Sequence, residues 1–469
     1  MLERRRHSSP LIAVVIAACG WAGSVGSVRA QSPPAQLTVL DAIELARKNY
    51  PSLKEVRARS EAAQEGVALA RTAYIPRLDA LWQANRGTHN NVFGLLLPQS
   101  IVPPISGPVL GTTTYDAVWG SAAGVLLSWQ AVDFGLRRAN VQAANAQASQ
   151  AQAVAQLTEL DVTAAAADAF VSVLAADEAV RAVRANVDRL LTFAESVRTL
   201  VRNQLRPGAD ESRADVELAI AQNQLSQATQ TAAITRATFA ESVGAAGALL
   251  TPDVGTLSKL PSLPPGQTAT VATHPAVRAE LAAVEAVQAR EHALSRTWVP
   301  HVDVQGAFSG RGTGAEVPGQ PVLGNGLSLQ VPNWAIGAIV SFPVFEGFAV
   351  NARRRVEAQN ELAERARHER AIQTVTTQQT RAQALMAAAI EIARNTPVEL
   401  KAAMDAESRA RARYSSGLTG VTEVADAQRL LAQAEADDAL ARLGVWRALL
   451  AVAQAGGDLN LFIERVRQP

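Results

Sequence analysis

The chain is written twice, and that constrains it more than any single motif. Tyr50-Pro51-Ser52-Leu53 recurs as His274-Pro275-Ala276-Val277, and Tyr74-Ile75-Pro76-Arg77-Leu78-Asp79 recurs as Trp298-Val299-Pro300-His301-Val302-Asp303, both 224 residues further on. Ser128-Trp129-Gln130-Ala131-Val132-Asp133 corresponds to Ser341-Phe342-Pro343-Val344-Phe345-Glu346 at a spacing of 213, so the intervening connection is 11 residues shorter in the second copy. The spacing of 213 then persists to Gly244 and Gly457. Self-similarity at a fixed period sets the architecture before any local signal does. It divides the mature chain into two structural repeats, 31–260 and 261–469.

Each repeat reads as helix, strand, loop, strand, long helix, tip, helix. The opening helices run from Leu40 to Thr72 and from Pro275 to Ser295, and Pro76 and Pro300 turn them into strands, because a residue before proline is pushed out of the helical basin. The long helices span Leu136 to Asn203 and Ala349 to Tyr414, interrupted by no proline but Pro397. At 1.5 Å per residue, each is on the order of 100 Å long. In the first, Val173, Ala176, Val180, Val183, Val187, Leu190, Ala194, Val197 and Val201 alternate steps of three and four, the seam of a coiled coil. Aromatic residues make up 4% of the chain, against abundant alanine, which suits thin, closely packed helices better than a broad core. The returning helices, Asp210 to Val243 and Val421 to Ala455, are half as long. Placed end to end with the opening helices, they make a second rod of matching length.

Between the helices lie segments of period two, 77–85, 119–129, 301–309 and 334–342. Leu78, Ala80, Trp82 and Ala84 alternate with Arg77, Asp79, Gln83 and Asn85, and Val302, Val304 and Phe308 alternate with His301, Asp303, Gln305 and Ser309. One apolar and one polar face over nine to eleven residues suits a transmembrane β-strand with lipid outside and water inside. Trp82, Trp119, Trp129, Trp298 and Trp334 sit in or at the ends of these strands, where aromatic girdles belong. Taken alone, the same strands also fit a small water-soluble sheet. Closed barrels begin at about eight strands, so four per chain imply self-association. The Gly- and Pro-rich stretches 86–116 and 310–333 read as long extracellular loops.

Arg4-Arg5-Arg6, the apolar run from Leu11 to Ala18 and the small-residue end at Val28-Arg29-Ala30 read as a secretory signal peptide over residues 1–30. Ile16-Ala17-Ala18-Cys19 resembles a lipobox, so acylation at Cys19 and cleavage after Ala30 both stand as readings. Cys19 is the only cysteine, which leaves no disulfide framework. A net charge of +1 from 44 basic and 43 acidic residues offers no footprint for nucleic acid. His7, His89, His274, His292, His301 and His368 form no metal-spaced pair, and no glycine loop follows a strand as nucleotide sites require. Neither a metal, a cofactor nor an enzymatic activity is expected.

The duplicated order, the opening Leu37-Thr38-Val39-Leu40-Asp41-Ala42-Ile43-Glu44-Leu45-Ala46, the two proline turns and the tip Tyr414-Ser415-Ser416-Gly417-Leu418-Thr419 together resemble the outer membrane efflux protein (TolC) family over nearly all of the mature chain. The resemblance implies a mostly α protein with a small β part. Long antiparallel coiled-coil helices would form an α-barrel, and four strands per protomer would contribute to a 12-stranded β-barrel in a homotrimer. It further implies a passive export duct in a tripartite efflux or type I secretion system. Its partners would be outer-membrane lipid, a periplasmic adaptor and an inner-membrane transporter of RND, ABC or MFS type.

The family's gate lies at the hairpin tips. Glu423 and Asp426 occupy the places where the family commonly has acidic residues facing the pore, and their equivalents in the first repeat are Asp210 and Arg213. The register places Arg213 to pair with Asp426 across neighbouring hairpins, while for each of these residues a solvated charge at a helix N-terminus is the plainer reading. Gly417-Leu418-Thr419 fits the family's adaptor-docking pattern, and Gln204-Leu205-Arg206, followed by Pro207-Gly208, departs from it in having Gln for Gly. Leu205 and Leu418 would be the apolar knobs, with Gly208 and Gly417 as helix stops. The competing function is a periplasmic coiled-coil adaptor or scaffold, which explains the heptads but not the strands.

Overall fold

A computed structural model of the protein describes residues 37–90, 92, 94–95, 101–102, 109–111, 113–262, 270–315 and 324–468. The signal peptide and Cys19 lie outside them. The order is α1 (Val39–Asn49), α2 (Pro51–Thr72), β1 (Arg77–Thr88), β2 (Ala117–Val132), α3 (Leu136–Arg202), α4 (Gly208–Ser242), α5 (Pro275–Ser295), β3 (His301–Thr313), β4 (Val331–Ser341), α6 (Glu346–Ser415), α7 (Val421–Gly456) and α8 (Asn460–Arg467). The helix expected from Leu40 to Thr72 is therefore two. Pro51 occupies the first position of α2 while Tyr50 is extended, as proline forces on its predecessor. A capping box of Thr38 and Asp41 starts α1. Helix α8 was not anticipated, and the first repeat has no counterpart after Gly244.

The four strands form one antiparallel meander in the order β1-β2-β3-β4, so β2 and β3 join the two repeats. Residues expected to face one way do so. Leu78, Trp82, Phe308, Trp334 and Ile336 are all at least 60% exposed on one face. The strands run about three residues beyond their expected outer ends. There Gly87, Gly310 and Gly312 carry no side chain to alternate, but the backbone still pairs.

Packing gives the helices a lateral order. Near the sheet it is α2, α3, α5, α6, and away from it α4, α3, α7, α6. The short helices stack end to end, as their lengths suggest. At one joint Gly244 (φ +70°) ends α4, and a Cβ there would stand 2.8 Å from the carbonyl carbon of Asn49. At the other Gly457 (φ +84°) ends α7, and a Cβ would stand 2.7 Å from Cδ of Pro275. Only glycine meets both demands, a left-handed cap and direct backbone contact. His274 ties the second joint: its Nδ1 accepts the Ala276 N–H at 3.1 Å and its Nε2 lies 3.2 Å from the Gln454 carbonyl.

The largest core forms a collar at these joints, where the middle of α3 meets α1, the ends of α4 and α7, and α8. Phe170 and Phe239 meet edge to face with centroids 5.6 Å apart, and Trp446 and Phe462 do so at 6.0 Å. The Trp446 Nε1–H donates to Lys259 O at 2.7 Å, which satisfies the one polar atom of that buried ring. Along α3, every member of the predicted seam from Val173 to Val201 is buried or half-buried.

Candidate functional site

The ends of α3 and α6 are built alike. Gln204 adopts φ +59° and Gly417 φ +76°, and in each tip the next residue's N–H reaches back five positions: Leu205 to Leu200 O and Leu418 to Arg413 O, both 2.9 Å. The reversed bond closes a left-handed C-terminal cap. Gln204 thus keeps the geometry although it departs from the glycine pattern, at the steric cost of a Cβ in that region, about 1 kcal/mol. The caps leave Leu205 68% and Leu418 71% exposed at the apex. Gly208 is not a helix stop. It is the first residue of α4 and follows an extended Pro207.

The two tips of one protomer are tied by a residue that sequence reasoning passed over. The Arg206 guanidinium lies 4.4 Å from the centre of the Tyr414 ring. Its Nη2 donates to Tyr414 O at 2.7 Å and its Nη1 to Thr419 O at 3.4 Å. Stacking plus a donor fork is what arginine provides and lysine does not. Behind it, the Tyr414 ring meets Phe193 edge to face at 5.2 Å. Tyr414 is 5% exposed. Burial pushes its hydroxyl above the usual phenol range, Arg206 opposes this, and Asp210 reinforces it. A small core of Leu190, Phe193, Val197, Ala214, Leu218 and Val424 supports the arrangement.

The charges expected at the gate all lie near the first turns of α4 and α7, where helix dipoles favour carboxylates. Glu423 faces Arg413 at 3.6 Å and Asp426 faces Arg429, one turn along its own helix, at 3.0 Å. Arg213 is exposed and, among the described residues, has no ion pair within the chain. The structure therefore does not bring Arg213 and Asp426 together within one protomer. Above the tips, Arg189 on α3 grips Glu435 on α7 through two bonds of 3.0 and 2.8 Å, a fork geometry that fixes the two helices.

At the opposite end of the molecule, β1 and β4 are unpaired sheet edges. Trp119 and Trp129 stand near the two ends of β2 and Trp298 lies just before β3, while Trp82 and Trp334 are nearer the middle of the apolar face. Among the described residues no helix is long and apolar enough to cross a membrane, and no His, Cys, Asp and Glu group could hold a metal ion.

The sequence profile of the outer membrane efflux protein family matches residues 42–245 and 269–458, one segment in each repeat. No curated protein matches the chain. Among solved structures, the fold is similar to the Campylobacter jejuni outer membrane channel CmeC at 13% identity, with 96% of this chain and 94% of that one covered and a TM-score of 0.72. It is also similar to the Vibrio cholerae outer membrane protein VceC at 17% identity, covering 90% and 96% with a TM-score of 0.70. The open-state Neisseria gonorrhoeae channel MtrE gives 20% identity, coverage of 90% and 89%, and a TM-score of 0.69. With both repeats matched in sequence and nearly the whole chain superposable on such channels, this chain belongs to the outer membrane efflux protein family.

Proposed function

We propose that three copies of this chain close into a passive duct through the outer membrane, with a long periplasmic extension. The supporting observation is that one flank of the protomer is made of β1, α2 and α4, and the other of β4 and α6. Each flank is an unfinished edge at every level, so a head-to-tail ring satisfies all of them at once. Three sets of four strands make 12, with the Trp82, Phe308 and Trp334 face toward lipid. A water-soluble sheet would not leave that face bare.

In this reading the tips are the gate. The Arg206–Tyr414 clamp holds the two tips of each protomer together, and rings of Asp210, Glu423 and Asp426 favour cations at the narrow end. Arg213, open within its own chain, pairs with Asp426 of the adjacent copy in the closed state. A periplasmic adaptor receives Leu205 and Leu418 as apolar knobs beside Thr419 and links the duct to an inner-membrane pump. Fractionation tests the reading. A band of three copies in the outer membrane that collapses on boiling supports it, and a monomer in the soluble periplasmic fraction overturns it.

A further inference from the structure

The two hairpins, α3–α4 and α6–α7, are copies whose shafts differ in one respect. Helix α3 holds neither proline nor glycine, and α4 has glycine only at Gly208, its first residue. The second hairpin has a breaker inside each rod, Pro397 in α6 and Gly444 in α7. At the spacing of 213 their counterparts are Arg184 and Thr231. Pro397 has no N–H, so the Ala393 carbonyl lacks its helical bond, and the proline ring crowds that same carbonyl. Packing does not call for Gly444, since a Cβ there would meet nothing within 4 Å. What glycine leaves at that place is a soft turn of helix.

The two breakers lie at nearly one level of the hairpin. Thr396, beside Pro397, is 5% exposed, and its Oγ1 donates across the hairpin to Asp438 Oδ1 at 3.4 Å. Gly444 stands about two turns beyond Asp438. There it lines a cavity of about 400 Å³ with Ala388, Ala389 and Ile392 of α6. A close-packed seam resists bending, because side chains would have to be displaced; here the space is already open.

The hairpin is held differently on either side of this level. On the collar side, Arg447 Nε and Nη2 grip the Asp168 carboxylate of α3 at 2.6 and 2.9 Å, and Leu449, Leu450 and Ala453 are buried in the collar. On the tip side, α6 and α7 hold each other through Leu400, Ala403, Leu431 and Ala434. That half is joined to the first hairpin by Arg189 on Glu435, by Arg206 on Tyr414, and by the edge of Phe193.

The geometry points to a hinge in the second hairpin alone. When the tip contacts release, bending is concentrated at Pro397 and Gly444 instead of being spread along the rods, and everything from there to the tip swings as one lever. The inference rests on the gated duct proposed above. At 1.5 Å per residue the lever is on the order of 30 Å long, so a small bend at its base displaces Tyr414 and Leu418 by several ångströms. The first hairpin, with no such level, stays as the fixed wall.

Distances measured by double electron–electron resonance test this in the detergent-purified chain, diluted with unlabelled chain so that single protomers are read, and with the chain carrying only Cys19 as the blank. One spin-label pair, E195C with S408C, joins α3 to α6 on the tip side. The other, A165C with Q378C, joins them on the collar side, and all four positions are exposed. Arg206→Ala is expected to lengthen the first distance and leave the second unchanged. Adding Pro397→Ala with Gly444→Ala is expected to remove most of that lengthening, and alanine favours the helix at both places, so the fold is not put at risk. Lengthening of both pairs, of neither, or of the first pair undiminished by the two alanines would overturn the hinge. The duct is read separately from the mass and bilayer conductance of the same samples: a soluble, silent monomer would overturn the duct whatever the distances show.

Discussion

Helices α3 and α6 hold the same place in the two repeats and are nearly the same length, 67 and 70 residues, yet α3 buries nineteen residues and α6 seven. The buried residues of α6 follow one narrow stripe, with Val375 and Ala382, then Thr396, Ala403 and Ala410, seven residues apart. In α3 the stretch from Val162 to Leu174 is buried on almost every side. Duplication copied the backbone path, but neighbours decide the surface. Helix α3 lies between α2 or α4 on one side and α5 or α7 on the other, whereas α6 is the outer rod of its protomer. In the proposed duct, a second copy supplies what α6 lacks inside the chain.

That contrast can be broken from the inside first. Phe170→Ala, in the buried middle of α3, is expected to cost about 3–5 kcal/mol, read as a large fall in the denaturation midpoint of the isolated protomer. Leu362→Ala on α6, 59% exposed, is expected to change the same midpoint by about 0.5 kcal/mol or less. Equal losses would mean that α6 is not an edge. Val356→Asp with Leu362→Asp sharpens the point. Helix content by circular dichroism stays unchanged while the trimer dissociates, because a charge is placed where the next copy packs.

Smaller effects belong to the tips, where the two repeats meet. Arg206→Ala is expected to raise single-channel conductance, and Arg206→Lys to recover little of the closed state because lysine lacks the planar fork. Gln204→Gly relieves the left-handed cap and is expected to slow amide exchange at the first tip by about 1 kcal/mol, while Gly417→Gln imposes the same cost on the second. Unequal or absent effects would separate two tips that the repeat makes equivalent.

Much of this was legible in the sequence because period and repeat are local signals. The helix spans, the strand faces, and the stacking of short rods against long ones come from proline positions, heptads and alternation. The residues that were missed depend on contacts between distant segments. Arg206 comes after an apolar knob and precedes Pro207, and nothing in that stretch announces that its partner is Tyr414 on the other hairpin. Arg213 and Asp426 share a register position in the repeat, but within the protomer Asp426 turns to Arg429. The packing of Leu95 and Val102 onto the sheet is hidden in a Gly- and Pro-rich stretch, because what makes room for it, Gly124 and Gly337, lies in other strands.

The most direct test is to purify the mature chain in mild detergent, determine its mass, and record it in a planar bilayer. A particle of three copies that inserts and conducts weakly, with conductance rising on Arg206→Ala, is expected. A monomer or dimer that is stable without detergent and silent in the bilayer would contradict the central claim that each chain is one third of a closed duct.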